Sequence, residues 1–158
     1  MCIRDSHYSS VGEINVVEKM KKINAVIGGE GNGGIIYPEL HYGRDALVGV
    51  ALFLSLLTES PLKVSELRAT YPNYFMSKKK ISLSEDLDFD LIFKEIESKY
   101  SDHNPITIDG VKIEFELSWV HLRKSNTEPI VRIYTEAKSE KESEELAERF
   151  LRELEEIV

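Results

Sequence analysis

The sequence predicts two units of different class. A partial α/β domain covers residues 9–60, and after a linker at 61–76 an α+β domain over 77–158 has an antiparallel sheet with helices on one face. Three features predict this. A glycine-rich loop at 28–34 lies between a short apolar run and a long apolar helix, which is strand–loop–helix material. Asp109-Gly110 sits between two runs rich in β-branched residues, a strong hairpin signal. Residues 139–157 read as a charged amphipathic helix whose apolar stripe includes Leu146, Phe150, Leu154 and Ile157.

Each element has its own warrant. Residues 14–22 read as a helix, with Ile14, Val17 and Met20 at helical spacing. Asn24-Ala25-Val26-Ile27 reads as a short buried strand. Beyond the glycine loop, Ile35-Ile36-Tyr37 is extended until Pro38 breaks it. Asp45 is a good N-cap for a helix over 46–58, and the unbroken apolar run at 46–57 predicts that this helix is buried. Ser60-Pro61-Leu62 punctuates the chain, and residues 64–71 form a short helix ending near Pro72. Residues 76–83 are basic and alternating, a strand that opens the second unit. Residues 88–100 are amphipathic, with Phe89, Ile92, Phe93 and Ile96 on one helical face. Ile106-Thr107-Ile108 and 111–117 flank the hairpin turn. Residues 119–122, with Trp119 assigned to the core, lead into a polar loop, and 130–135 is the strand that leaves it.

Composition narrows the function. The chain has 158 residues, 42% hydrophobic and 30% charged, as a globular protein does. Its net charge of −8 argues against nucleic acid, whose phosphates demand a basic face. The cations that matter must then be local: Arg123, Arg132 and Arg44. A single cysteine, Cys2, excludes an internal disulfide and suits a reducing, cytoplasmic setting. The longest apolar run is shorter than the roughly 20 residues a membrane span needs. Residues 1–8 carry no signal-peptide pattern and bear no relation in composition to the rest of the chain. They read as a foreign or disordered leader on a truncated reading frame.

Two segments carry recognisable chemistry. Arg123-Lys124-Ser125-Asn126-Thr127-Glu128-Pro129 places a guanidinium, two hydroxyls and a side-chain amide in one turn between strands. Arginine's planar fork matches phosphate oxygens, and hydroxyl and backbone N–H groups fill the remaining lone pairs. Arg132, on the strand leaving the turn, either touches the phosphate or braces the loop. Upstream, Glu30 and Asn32 stand between glycines in Gly28-Gly29-Glu30-Gly31-Asn32-Gly33-Gly34. A carboxylate and an amide on bare backbone suit vicinal sugar hydroxyls, so a phosphate anchor and a hydroxyl reader together point to a sugar phosphate. His41 and Arg44 come soon after and either face the ligand or cap local structure.

Three other patterns resolve to structure. Gly29, Gly31 and Gly34 satisfy G-x-G-x-x-G, but the fingerprint must open a helix, and Ile35-Ile36-Tyr37-Pro38 does not. Ser101-Asp102-His103-Asn104-Pro105 resembles a nucleophile site yet is built from turn formers. Ser84-Glu85-Asp86-Leu87-Asp88-Phe89-Asp90 lacks the glycine and terminal glutamate of a calcium loop and reads as the acidic start of a helix.

Val11-Gly12-Glu13, GGEGNGG at 28–34, HYGRDALVG at 41–49 and RKSNTEPIVRIYTEA at 123–137 together resemble the α-D-phosphohexomutases, the family of phosphoglucosamine mutase, phosphomannomutase and phosphoglucomutase. The resemblance implies the later part of the family's domain 3 and all of its domain 4. It implies sugar contacts at Glu30, Asn32 and Gly33, and contacts to the non-transferred phosphate at Arg123, Ser125, Asn126 and Thr127. Many members carry Val-Gly-His where Glu13 stands here, and a histidine where Gly34 stands, so Glu13 joins His41, Arg44 and Arg132 as a further candidate. The family's phosphoserine motif and its aspartate-rich Mg²⁺ loop do not occur in this sequence. The resemblance therefore implies Mg²⁺ in a full-length parent, no metal ligand and no catalytic nucleophile in this chain, and no mutase activity of the chain alone. The expected ligand is a hexose or hexosamine phosphate, with no nucleic-acid or membrane partner. Phosphoglucosamine mutase is the leading expectation; phosphomannomutase or phosphoglucomutase, or a non-catalytic phosphosugar-binding module, are the alternatives.

Overall fold

A computed structural model describes residues 6–82, 88–125 and 128–157. Residues 1–5 of the expected leader with Cys2, residues 84–87 of the acidic run, and the candidate phosphate ligands Asn126 and Thr127 lie outside the described residues. The chain divides into two compact units, Met1–Pro72 and Asn73–Val158.

The first unit holds α1 (Glu13–Ile23), β1 (Gly28–Gly29), β2 (Ile35–Ile36), α2 (Ala46–Glu59) and α3 (Val64–Ala69). β1 and β2 pair antiparallel, Gly28 opposite Ile36 and Gly29 opposite Ile35. The glycine loop is thus the tip of a short ribbon that runs directly into a strand and opens no helix, which removes the dinucleotide reading. Its core is small: Met20, Ile36 and Leu67 are buried. Gly28 packs directly on Met20: a Cβ would lie 2.2 Å from the Met20 sulfur, so that side chain would have to move aside.

Two expectations for this unit fail. Residues 24–27 are not a buried strand: Asn24 adopts the left-handed conformation that ends α1, and Val26 is 76% exposed. The N–H groups of Asn24 and Ala25 go to the Met20 carbonyl, so this stretch unwinds the helix end rather than joining a sheet. The apolar helix α2 forms, with Asp45 as its N-cap, but none of its residues is buried and Leu47 is 80% exposed. A two-stranded ribbon is too narrow to cover a helix that is apolar on every side.

The second unit contains β3 (Phe75–Ser82), α4 (Phe89–Lys99), a 3₁₀ turn (Ser101–His103), β4 (Val111–Glu114), β5 (Trp119–Lys124), β6 (Ile130–Ala137) and α5 (Glu140–Ile157). The four strands form one antiparallel sheet in the order β3-β6-β5-β4. Alternation assigns its faces. Val111, Ile113, Val120, Leu122, Val131 and Ile133 are buried with Phe89, Ile92 and Ile96 of α4 and Ala147, Phe150 and Leu154 of α5. Both helices therefore cover one face, the predicted architecture. Lys79 adds ion pairs to Glu144 and Glu148 on that side.

Two details differ from expectation. The strand foreseen at Ile106-Thr107-Ile108 shrinks to one bridge between Ile106 and Lys112, and Ile108 is exposed. Trp119 is not core: it lies on the helix-free face, half-buried, donating from Nε1 to Glu136 at 3.1 Å with the Lys112 ammonium 5.3 Å from its ring. Period-two alternation with Val120 and Leu122 inside forces Trp119 to the other face.

Candidate functional site

Each unit carries its own group of candidate residues. In the first, the ribbon tip is a chain of short turns: Glu30 N–H donates to Gly34 O at 3.0 Å, Gly33 N–H to Glu30 O at 3.0 Å, and Gly34 N–H to the Asn32 side-chain oxygen at 3.0 Å. Gly33 has φ +92°, a conformation that side chains other than glycine's resist. A Cβ on Gly31 or Gly33 would meet no atom within 4 Å beyond its chain neighbours, so bare backbone faces open space at these two positions.

Arg44 ties this loop to α1. Its backbone N–H donates to Glu13 Oε1 at 3.1 Å and its Nε to Glu13 Oε2 at 2.9 Å, while Nη1 reaches Glu30 Oε2 at 3.3 Å. With two carboxylates against it, the guanidinium is compensated within the chain. His41 is a local brace. Its Nε2 lies 3.1 Å from Asp45 Oδ2, and its Nδ1 accepts from Gly43 N–H at 3.0 Å. The Val48 N–H, and after it His41, hold the Asp45 carboxyl below its ordinary range, as suits a helix cap.

In the second unit the candidates gather at one end of the sheet. β5 and β6 set Arg123 directly opposite Arg132, and β3 continues the row with Lys80 opposite Arg132. All three are at outward positions of the alternating pattern, on the face without helices. Arg123 Nη1 lies 3.5 Å from Asp109 Oδ2, with the side chain still 22% exposed. Among the described residues neither Lys80 nor Arg132 has an ion-pair partner. Like charges opposite one another in a sheet repel, and an anion placed over the row would remove that cost. The loop closes beside it: Ser125 is buried and donates its N–H to Ile130 O at 3.0 Å. Lys124 alternates to the other side, its ammonium 4.5 Å from the Phe89 ring centre. The row is local basicity on an acidic chain.

Asp109 and Lys80 were not legible as site residues. Asp109 reads as a turn former and Lys80 as one of three consecutive lysines; only strand register brings them beside Arg123 and Arg132. Among the described residues no three His, Cys, Asp or Glu side chains converge as a metal site. No helix among the described residues is long and apolar enough to cross a membrane.

With this geometry in view, comparison with known proteins identifies the class. Residues 4–74 match the phosphoglucomutase/phosphomannomutase alpha/beta/alpha domain III, and residues 76–153 match the phosphoglucomutase/phosphomannomutase C-terminal domain. The chain belongs to the α-D-phosphohexomutase family. It is 39% identical over 153 residues to a phosphoglucosamine/phosphogalactosamine mutase of Sulfurisphaera tokodaii, covering 96% of this chain and 33% of that protein. It is 37% identical to a phosphoglucomutase/phosphomannomutase of Thermococcus kodakarensis, covering 95% of this chain and 33% of that one. A crystal structure of a phosphoglucomutase/phosphomannomutase family protein from Burkholderia thailandensis superimposes with a TM-score of 0.71 at 25% identity, over 92% of this chain and 31% of that chain. The chain thus spans about a third of the length of the relatives it matches.

Proposed function

We propose that this chain is the substrate-holding part of a phosphohexomutase that moves a phosphoryl group between O6 and O1 of a hexose phosphate in the cytoplasm. We further propose that the substrate is a hexosamine phosphate, as for a phosphoglucosamine mutase. The observation that carries the reading is the cation row Lys80–Arg132–Arg123 beside the buried Ser125, an anion cradle on a chain of net charge −8. The names of the relatives support the substrate class.

In this reading Arg123, Ser125, Asn126 and Thr127 hold whichever phosphate is not being transferred, with Arg132 as a second guanidinium. Glu30, Asn32 and the bare backbone at Gly33 accept and donate hydrogen bonds to sugar hydroxyls. A phosphoserine elsewhere in the family's fold donates its phosphoryl group to the free sugar oxygen. The bisphosphorylated sugar turns over, and the serine then takes the phosphoryl group from the other end. Because the two ends exchange places, the anchor must accept either phosphate. This chain's share is positioning rather than bond-breaking. With neither the phosphoserine motif nor the metal loop in its sequence, the 158-residue chain by itself has no mutase activity.

The test compares Arg123→Ala with Lys124→Ala in the full-length enzyme. Losing a charge-assisted contact to phosphate lowers kcat/KM by at least about tenfold, whereas Lys124, turned toward Phe89, costs less than about threefold. Equal kcat/KM for the two variants would overturn the assignment.

A further inference from the structure

We infer that Glu13 is a positioning residue for the sugar-reading carboxylate of Glu30, acting through Arg44. The inference rests on the reading of Glu30 as a hydroxyl acceptor and adds how that acceptor is aimed.

Glu13, Glu30 and Arg44 come from three places in the first unit: the first residue of α1, the ribbon tip, and the residue before the cap of α2. Both carboxylate oxygens of Glu13 are committed to Arg44, one to its backbone N–H at 3.1 Å and one to Nε at 2.9 Å. That grip engages main chain and side chain together and restrains the guanidinium more than a single contact would. What it presents on its far side is Nη1, 3.3 Å from Glu30 Oε2.

Gly34 completes the arrangement. A Cβ there would lie 2.8 Å from Arg44 Cδ and 3.3 Å from the Asn32 side-chain oxygen, so the arginine stem crosses the loop through the space a side chain would fill. The Glu30 side chain is 13% exposed, against 48% for Arg44. One of its oxygens is engaged by the guanidinium, and an added Cβ on Gly31 or Gly33 would meet no atom within 4 Å beyond the chain neighbours. A carboxylate on a glycine-rich tip would otherwise sample many rotamers. Held from behind, it meets a ligand already oriented, and the ordering cost is removed before binding.

Charge sets what this group can recognise. Two carboxylates and one guanidinium sum to −1, so Arg44 is not available as a phosphate clamp. The triad is suited to neutral hydroxyls or an ammonium group. Phosphate recognition belongs elsewhere, and that separation makes the relay testable.

The chain is titrated with glucosamine 6-phosphate and, separately, with inorganic phosphate, by calorimetry and by backbone amide NMR. Glu13→Gln should weaken glucosamine 6-phosphate about three- to fivefold, the scale of a partly exposed ion pair, and leave inorganic phosphate unchanged. In a Glu30→Gln background the same substitution should have no further effect, since there is no carboxylate left to aim. Additive losses in the double variant, or an equal loss of inorganic phosphate affinity, would overturn the relay and leave Glu13 a structural brace. If the unsubstituted chain shows no response of the Gly31 and Gly33 amides to glucosamine 6-phosphate, the sugar-reading assignment of Glu30 falls first, and the relay with it.

Discussion

Arg123 shows how much one side chain depends on its turn. Its guanidinium is steered by Asp109, which sits there because Gly110 turns the chain with φ +75°. A Cβ on Gly110 would lie 2.1 Å from Leu122 O, so this position excludes other residues twice, by conformation and by space. Gly110→Ala should cost at least about 2 kcal/mol, measured by urea unfolding followed on Trp119, the single tryptophan. It should also loosen phosphate binding, because the strand end that carries Arg123 moves with it. An unchanged unfolding midpoint would contradict the packing described for this turn. Arg44 and His41 show the complementary case. Both come after the glycine loop in sequence, yet one is bound to Glu13 and Glu30 while the other braces the cap of α2.

At the level of elements, α5 is held to the sheet by more than its apolar stripe. Phe150, Ala147 and Leu154 are fully buried, and beside them Tyr100, Lys99 and Arg149 converge on Glu153. Burial opposes the Glu153 charge, but the hydrogen bonds from Tyr100, Lys99 and Arg149 outweigh it and hold the carboxyl below its ordinary range. A native value lower than the unfolded one means the contribution is in place above the unfolded carboxylate range, about pH 4.3, and is lost as pH falls through the native value. Glu153→Gln should therefore lower stability at neutral pH and flatten the acid limb of the stability curve. A variant as pH-sensitive as the parent in that window would exclude this network as a source of acid sensitivity. Phe150→Ala tests the stripe itself, with an expected loss of about 3–5 kcal/mol in the same unfolding measurement.

For the whole molecule the two units differ in how much they bury. Most of the buried apolar side chains belong to the second unit, whereas the first buries Met20, Ile36 and Leu67 and leaves α2 exposed. Hydrogen exchange should reflect this difference. The amides of Leu122, Val131 and Ile133 are expected to be among the slowest, and those of α2 should exchange through cheaper local opening. Equal protection in α2 and β6 would mean that the apolar helix is covered in solution. The same exposure makes the chain sticky. Leu47→Glu with Leu54→Glu should reduce dye binding and light scattering while leaving the Trp119-detected transition in place.

Local chemistry was enough to determine much of this protein. Spacing of Phe89, Ile92 and Ile96, alternation along β5 and β6, the Asp109-Gly110 turn and the Asp45 cap all arise from interactions within a few residues, so the antiparallel sheet with its helices was legible directly. So was the gathering of Arg123, Ser125 and Arg132 around one turn, because a hairpin brings both sides of a loop together whatever surrounds it. Burial was not legible where a partner was missing. The apolarity of 46–57 predicts a covered helix, and only packing reveals that the narrow ribbon does not cover it. Nor could spacing disclose that Glu13 meets Arg44 across 31 residues, that Asp109 steers Arg123, or that Lys80 extends the cation row. Those contacts are set by chain reversal and strand register, and a residue's own neighbours in sequence carry no record of which distant side chain arrives opposite it.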